Sequence, residues 1–206
     1  MSIYVVRHGS TDLNEGNKLR GWLNPTLSPL GEKEASMAGE TLKDIPFDEI
    51  YSSDLTRAIQ TAMIIGANLN NGPEKINISN NFRPINFGEY QGKPFDEISQ
   101  NITDLFSKWE TDPLYKENGS ESFSDFQDRI FNAIKSLFDI QKQDSKKNIM
   151  LVTHVRVCDY TLALVMNHFK RLEGESIRIL NYLSIEPANY LKFESEEVAR
   201  LSGLSH

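Results

Sequence analysis

Two short, uninterrupted apolar runs constrain this chain more than anything else in it. Residues 3–6 (Ile-Tyr-Val-Val) and 149–152 (Ile-Met-Leu-Val) carry no charged position, so neither reads as a strand with one face in water. Runs of this kind belong to strands covered on both faces of a parallel sheet. Parallel strands need crossover connections, and helical periods fill the intervals between the apolar runs. Ser28-Pro29 opens a helix whose Ala35, Ala38 and Leu42 fall at helical spacing. Residues 47–51 form the next strand, which runs into Ser52-Ser53-Asp54; these can cap a helix carrying Leu55, Ile59, Ala62 and Met63 on one face. Residues 76–79 follow as a short strand. Residues 80–120 are irregular, with short helical pieces around Phe95 and Phe106, and form an insertion over one end of the sheet. A long amphipathic helix carries Phe123, Phe126, Ile130, Ile134, Leu137 and Phe138. After 149–152 comes a helix with Cys158, Leu162, Val165 and Met166, and strands at 177–185 and 190–193 close the chain across Pro187. The alternation predicts one α/β domain over residues 1–206, a three-layer sandwich around a mostly parallel central sheet. Its loop/helix insertion, at about 80–120, lies over the carboxyl ends of the strands.

The chain's 206 residues suffice to bury a core without disulfides, and its single cysteine, Cys158, fits a reducing compartment. No stretch approaches a membrane-spanning apolar run, and the N-terminus lacks a basic-then-apolar signal. A soluble, cytoplasmic protein is expected. The net charge of −7 argues against nucleic acid or an anionic membrane as partner. An anionic substrate would need positive charge concentrated locally, and the sequence offers it at the ends of the two apolar runs.

His8 follows the first run and His154 the second, each after one intervening residue. In open α/β sheets ligand sites lie at the carboxyl ends of strands, so adjacent strands would bring the two imidazoles together. Arg7 flanks one histidine, and Arg57 falls in the first turn of the helix after the 47–51 strand. Two guanidiniums with planar, forked donors and two histidines make a pocket suited to a phosphate dianion.

The residues around these four resemble the histidine phosphatase superfamily, in its phosphoglycerate-mutase-like branch. The resemblance begins at Arg7-His8-Gly9-Ser10-Thr11-Asp12-Leu13-Asn14 and continues through Gly21, Asn24-Pro25-Thr26-Leu27-Ser28-Pro29-Leu30-Gly31 and Ala35. It runs on through residues 51–62, then Phe87-Gly88-Glu89-Tyr90-Gln91-Gly92, Gly119-Ser120-Glu121-Ser122, Arg129 and Leu151-Val152-Thr153-His154. It implies that His8 attacks phosphorus in line to form a phosphohistidine, which water then hydrolyses. Arg7, Arg57 and His154 would neutralise the equatorial oxygens. Asn14 would hydrogen-bond the phosphoryl group, with Gly21 and the backbone at Val155 also in the binding site. The implied activity is that of a cofactor-independent phosphatase acting on a small phosphorylated metabolite, with no metal. A true mutase fits less well, since the family's mutases are usually longer. Oligomeric state is left open.

Two departures bear on activity. The family usually carries a glutamate as general acid within Leu-Arg-Glu, four residues before a glycine; here Phe82-Arg83-Pro84 precedes Gly88, so Pro84 stands in the glutamate's place. Losing the acid could cost on the order of 10²–10⁴-fold on an ordinary ester. Another carboxylate could replace it, with Glu89 and Glu121 nearest by motif position. The substrate could instead carry a leaving group needing little protonation, or the chain could be a phosphate-ligand-binding protein with impaired catalysis. After His154 the family usually has glycine; here Val155 and Arg156 follow. Arg156 could add a guanidinium at the pocket rim, or it could be a solvated residue at a helix start.

Overall fold

In the computed structural model, which describes residues 2–15, 17–144, 146–166 and 188–194, the two apolar runs lie side by side. In chain order the elements are β1 (Ser2–Arg7), α1 (Asp12–Glu15), α2 (Pro29–Leu42), β2 (Glu49–Ser53), α3 (Thr56–Asn68), β3 (Ile76–Ser79), α4 (Phe95–Thr111), α5 (Phe123–Gln143), β4 (Ile149–Thr153), α6 (Val155–Met166) and β5 (Tyr190–Glu194). Two single-turn 3-10 helices lie between β3 and α4. The strands form one sheet in the order β3-β2-β4-β1-β5. All pairings are parallel except that of β5, which runs antiparallel to β1. The mostly parallel α/β architecture expected from the sequence is therefore observed. The strand expected at 177–185 lies outside the described residues.

Burial on both faces explains the unbroken apolar runs. Tyr4, Val6, Met150 and Val152 point to one side, where they meet Ala38 and Leu42 of α2 and Ala58, Ala62 and Ile65 of α3. Ile3, Val5, Ile149 and Leu151 point to the other, against side chains of α4, α5 and α6. These are the outer layers of the sandwich. The register aligns Arg7 with Thr153, so His8 and His154 leave the sheet as neighbours.

Two local expectations change. The helical pieces around Phe95 and Phe106 are one seventeen-residue helix, α4. Ile98, Ile102, Leu105, Phe106 and Trp109 form its buried stripe, a continuous helical period that the surrounding Asn, Pro and Gly residues obscure. At α3 the N-cap is Leu55, with no side-chain cap. The buried face is Arg57, Ala58, Thr61, Ala62 and Ile65, while Met63 is exposed. Of Ser52, Ser53 and Asp54, expected to cap, Ser53 Oγ accepts only the Leu55 amide, at a long 3.4 Å, and lies closer to His154 Nε2 at 2.9 Å. At α2 the expectation holds: Pro29 starts the helix and Ser28 Oγ accepts the Gly31 amide at 3.2 Å.

Trp109 anchors the insertion. It is fully buried, stacks edge-on against Phe106 with ring centroids 5.2 Å apart, and donates Nε1–H to the Tyr115 carbonyl at 2.9 Å. Trp109→Ala should cost about 3–5 kcal/mol, as for other buried aromatics truncated in a core. Urea unfolding should show a lowered midpoint at unchanged slope; an unchanged midpoint would contradict this role.

Candidate active site

The loop after β1 depends on contacts that only glycine allows. A Cβ on Gly9 would sit 2.4 Å from the Gly31 carbonyl oxygen, and one on Gly31 would sit 2.0 Å from that of Ser10. The start of α2 therefore lies directly against the loop backbone. Glu34 of α2 accepts from the Ser10 amide and hydroxyl at 2.7 and 3.0 Å, and Thr61 of α3 accepts from the Gly9 amide at 3.1 Å. Gripped from two helices, the loop holds His8.

His8 is 3% exposed. Its Nδ1 lies 2.6 Å from the Gly9 carbonyl oxygen and its Nε2 lies 3.2 Å from Arg57 Nε. A guanidinium N–H can only donate. Nε2 is therefore the unprotonated nitrogen, and Nδ1 carries the proton that it donates to the carbonyl. Burial pushes the ring's pKa well below the ordinary imidazole value, and Arg57, Arg20 and Arg7 push the same way. The result is a neutral imidazole with a lone pair on Nε2, the form in which histidine is a nucleophile.

Arg57, 1% exposed, also shapes the loop in front of it. Its remaining nitrogens donate to the Leu23 carbonyl at 2.7 Å and the Gly21 carbonyl at 2.9 Å. Gly21 adopts φ +48°, and a Cβ there would fall 1.9 Å from Gln91 Oε1, so any other residue would strain the backbone and displace the Gln91 side chain. Burial, with Arg20 nearby, lowers the Arg57 pKa to about 9; burial and Arg7 lower that of Arg20 to about 10. Arg20 Nη1 is buried with no hydrogen-bond partner among the described residues.

His154 faces His8 with ring centroids 5.1 Å apart. Its Nε2 lies 2.9 Å from Ser53 Oγ, while its Nδ1 is buried without a partner among the described residues. Burial, then Arg57 and His8, hold this ring neutral too. Buried donors and ring nitrogens left unpaired are unusual in folded proteins; an anion seated against Arg20 and His154 would satisfy them. His8, Arg20, Gly21, Arg57, His154, Val155 and Arg156 all line one cavity of about 660 Å³. Its other walls include Leu19, Pro84, Phe87 and one face of α4. This placement at the carboxyl ends of β1 and β4 is the one the sequence indicated.

Other expected residues fall differently. Arg7 is buried and does not line the cavity, but its charge acts on Arg20 and Arg156, lowering both pKa values. Asn14 lies in α1, with its side chain outside the described residues. Arg156 is a rim residue and not a solvated one. It packs its guanidinium 5.8 Å from the Phe106 ring centre and 3.6 Å from Asp159 Oδ2.

Neither candidate replacement acid reaches the cavity. Glu89 is exposed and does not line the cavity. Glu121 is gripped by the Arg129 guanidinium at 2.8–3.0 Å and accepts from the Asn86 amide at 3.2 Å. Its carboxylate is committed to holding the loop. Pro84 does line the cavity, and its carbonyl accepts from Trp22 Nε1 at 2.8 Å and from Arg129 Nη2 at 3.3 Å. Sequence reasoning missed Arg20, although it immediately precedes Gly21 in the quoted pattern, and it missed Ser53 as the partner of His154. It also missed Glu110 of α4, the one carboxylate among the described residues lining the cavity.

A parallel sheet whose central strands end in a neutral histidine, ringed by guanidiniums around a cavity, defines an α/β protein with an anion pocket. The chain belongs to the histidine phosphatase superfamily (branch 1), whose family model matches residues 3–194. Among curated relatives, a glucosyl-3-phosphoglycerate phosphatase of Mycolicibacterium vanbaalenii is 30% identical over 74% of this chain and 68% of its own. A 2,3-bisphosphoglycerate-dependent phosphoglycerate mutase of Cytophaga hutchinsonii is 28% identical over 91% of this chain and 86% of its own. Among solved structures, a mycobacterial glucosyl-3-phosphoglycerate phosphatase complexed with VO3 has the same fold. Its TM-score is 0.75 at 23% identity, covering 93% of this chain and 91% of that one.

The proton assignment can be checked directly. Imidazole nitrogen NMR shifts should show His8 as the neutral Nδ1–H form at pH 6, where an unperturbed histidine is roughly three-quarters charged. A His8 titration centred near 6.5 would contradict it. The sign for stability follows. In the unfolded chain these histidines take up protons below about pH 6.5, whereas folded His8 and His154 resist them, so their contribution to stability is lost as pH falls through that range.

Proposed function

We propose that this protein is a metal- and cofactor-independent phosphatase that moves a phosphoryl group from a small phosphorylated metabolite to His8 and then to water. The observation that carries this reading is the Nε2 lone pair of His8, held free of a proton beside Arg20, Arg57 and His154 in one cavity. The lone pair attacks phosphorus, and the leaving oxygen departs on the far side in line. The guanidiniums balance the charge on the equatorial oxygens and the neutral His154 ring offers them a ring N–H, a role that preorganised donors fill without reorganising. Arg57 binds and positions at once: its Nε–H keeps the Nε2 lone pair directed, and its fork fixes the 20–24 loop. The relatives named as phosphatases support hydrolysis over internal transfer. No helix among the described residues is long and apolar enough to cross a membrane. With one buried, unbridged cysteine and a net negative charge, the chain suits cytoplasmic work on soluble metabolites better than work on nucleic acid or membrane.

A second reading, a phosphate-ligand-binding protein with impaired turnover, is favoured by Pro84, whose side chain carries no proton at the family's acid position. Incubation with 32P-labelled acetyl phosphate separates the two. The phosphatase reading expects acid-labile label on His8, none on His8→Ala, and release of inorganic phosphate over time. Vanadate binding with no label on His8 would instead support the binding protein.

A further inference from the structure

The loop that holds His8 meets α2 and its cap at three points spaced three residues apart. The Ser28 amide donates to the Ser10 carbonyl at 3.0 Å, Gly31 lies against the Ser10 backbone, and Glu34 takes the Ser10 amide and hydroxyl. Positions three apart share one helix face. A side chain at 31 would push α2 off the loop. Without one, the half-buried Glu34 carboxylate comes within 2.7 Å of the Ser10 nitrogen. Both of its oxygens accept, as suits the ionised form, which has no proton to give.

The Ser10 N–H and the Gly9 carbonyl belong to a single planar peptide unit, whose resonance couples the two groups. The same Gly9 carbonyl accepts the His8 Nδ1–H, with 2.6 Å between the heavy atoms. A line of bonds thus runs from the Glu34 carboxylate through one peptide to Nδ1, and across the ring to the Nε2 lone pair. Hydrogen bonds in such a line polarise one another, and a bond to an ionised acceptor is about twice as strong as a neutral one. Thr61 makes no such link, because the Gly9 amide it accepts belongs to the preceding peptide.

We infer that Glu34 is a positioning residue that activates His8 through the Gly9–Ser10 peptide. It is the counterpart of the orienting acid in a hydrolytic triad, with a peptide placed between acid and imidazole. The inference rests on the phosphatase reading above. As Nε2 forms the N–P bond and the P–O bond breaks, the leaving oxygen keeps the P–O electron pair and the ring becomes cationic. Its proton stays on Nδ1, where the polarised carbonyl stabilises it. When a water oxygen then bonds phosphorus, the N–P pair returns to Nε2. A neutral imidazole is released, and the phosphate keeps the water's protons. The interaction is strongest while the ring is charged, so it acts on the rate of transfer more than on phosphate binding.

The experiment compares the full-length chain with Glu34→Gln and Ser10→Ala. Glu34→Gln removes the charge and keeps the contacts, since an amide oxygen can accept the Ser10 N–H and an NH2 can donate to the hydroxyl. Ser10→Ala removes the hydroxyl contact and keeps the amide one. Three quantities are read: the rate of His8 labelling by 32P-labelled acetyl phosphate, the Kd of inorganic phosphate, and the His8 Nδ1 proton resonance, assigned by its loss in His8→Ala. Glu34→Gln should slow labelling by about 10-fold, the lower end of what outer partners of a histidine contribute at metal sites. It should also move the Nδ1 proton upfield and leave the phosphate Kd unchanged, which shows that the variant is folded. Ser10→Ala should leave the resonance in place. Unchanged labelling in Glu34→Gln, or the same upfield shift in Ser10→Ala, would overturn the inference while His8 stands as nucleophile. So would phosphate binding weakened as much as labelling is slowed, which would make Glu34 a clamp on the loop and nothing more. Absence of His8 labelling in the wild-type chain would remove the phosphatase reading and this inference together.

Discussion

The hydrogen bond from Arg57 Nε to His8 Nε2 is the contact on which the rest of the site depends. A guanidinium cannot accept, so the contact exists only while that ring nitrogen is unprotonated. Burial enforces this state more strongly than the surrounding charges do. The remaining arms of the same guanidinium reach the Leu23 and Gly21 carbonyls. One side chain thus joins the nucleophile, helix α3 and the loop that brings Arg20 to the cavity. Replacing Arg57 by lysine would keep a charge but lose the planar set of directed donors.

The electrostatics of the site run against those of the whole chain. The protein is acidic overall, yet Arg7, Arg20, Arg57 and Arg156 gather around two neutral histidines. Their mutual repulsion shows in the lowered pKa values of Arg20, Arg57 and Arg156, although desolvation is the larger cause in each. Asp159 compensates only in part. Burial raises its pKa to about 7 against the pull of Arg156 and Arg7, so this carboxyl is only partly ionised at neutral pH. The pocket keeps an excess of positive charge that a phosphate dianion can offset. It is also screened less by salt than a surface patch would be.

The architecture was legible because its signals are local. Unbroken apolar runs at 3–6 and 149–152 report burial on both faces, and the following histidines inherit their place from the strand ends. The insertion was harder to read. Helix α4 has a clear period in Ile98, Ile102, Leu105 and Trp109, but it lies between stretches rich in turn formers, which disguised its length. The acids were harder still. Glu89 and Glu121 were suggested by their nearness to a motif in sequence, yet whether a carboxylate faces a cavity or an arginine depends on tertiary contacts, such as the Arg129 fork, that no spacing encodes. Ser53 looked like a helix cap because it precedes a helix; its position at the end of β2, beside β4, delivers it to His154.

The sheet order has a consequence for how the site comes into being. β1, the first strand synthesised, pairs with β4 and β5 and not with β2. Its last residue, Arg7, exchanges backbone hydrogen bonds with Ala188 and Asn189 at 3.0 Å. The strand that ends at the nucleophile therefore finds none of its sheet partners until residues 149–153 of β4 have been made. Contacts of such long sequence separation carry a large loop-closure cost and slow folding. A nascent chain emerging from the ribosome can form α2 and α3 early, while its first strand waits with an unpaired apolar edge. The order of synthesis and the order of the sheet are opposed here, and His8, made before every later strand of the sheet, is among the last to be placed.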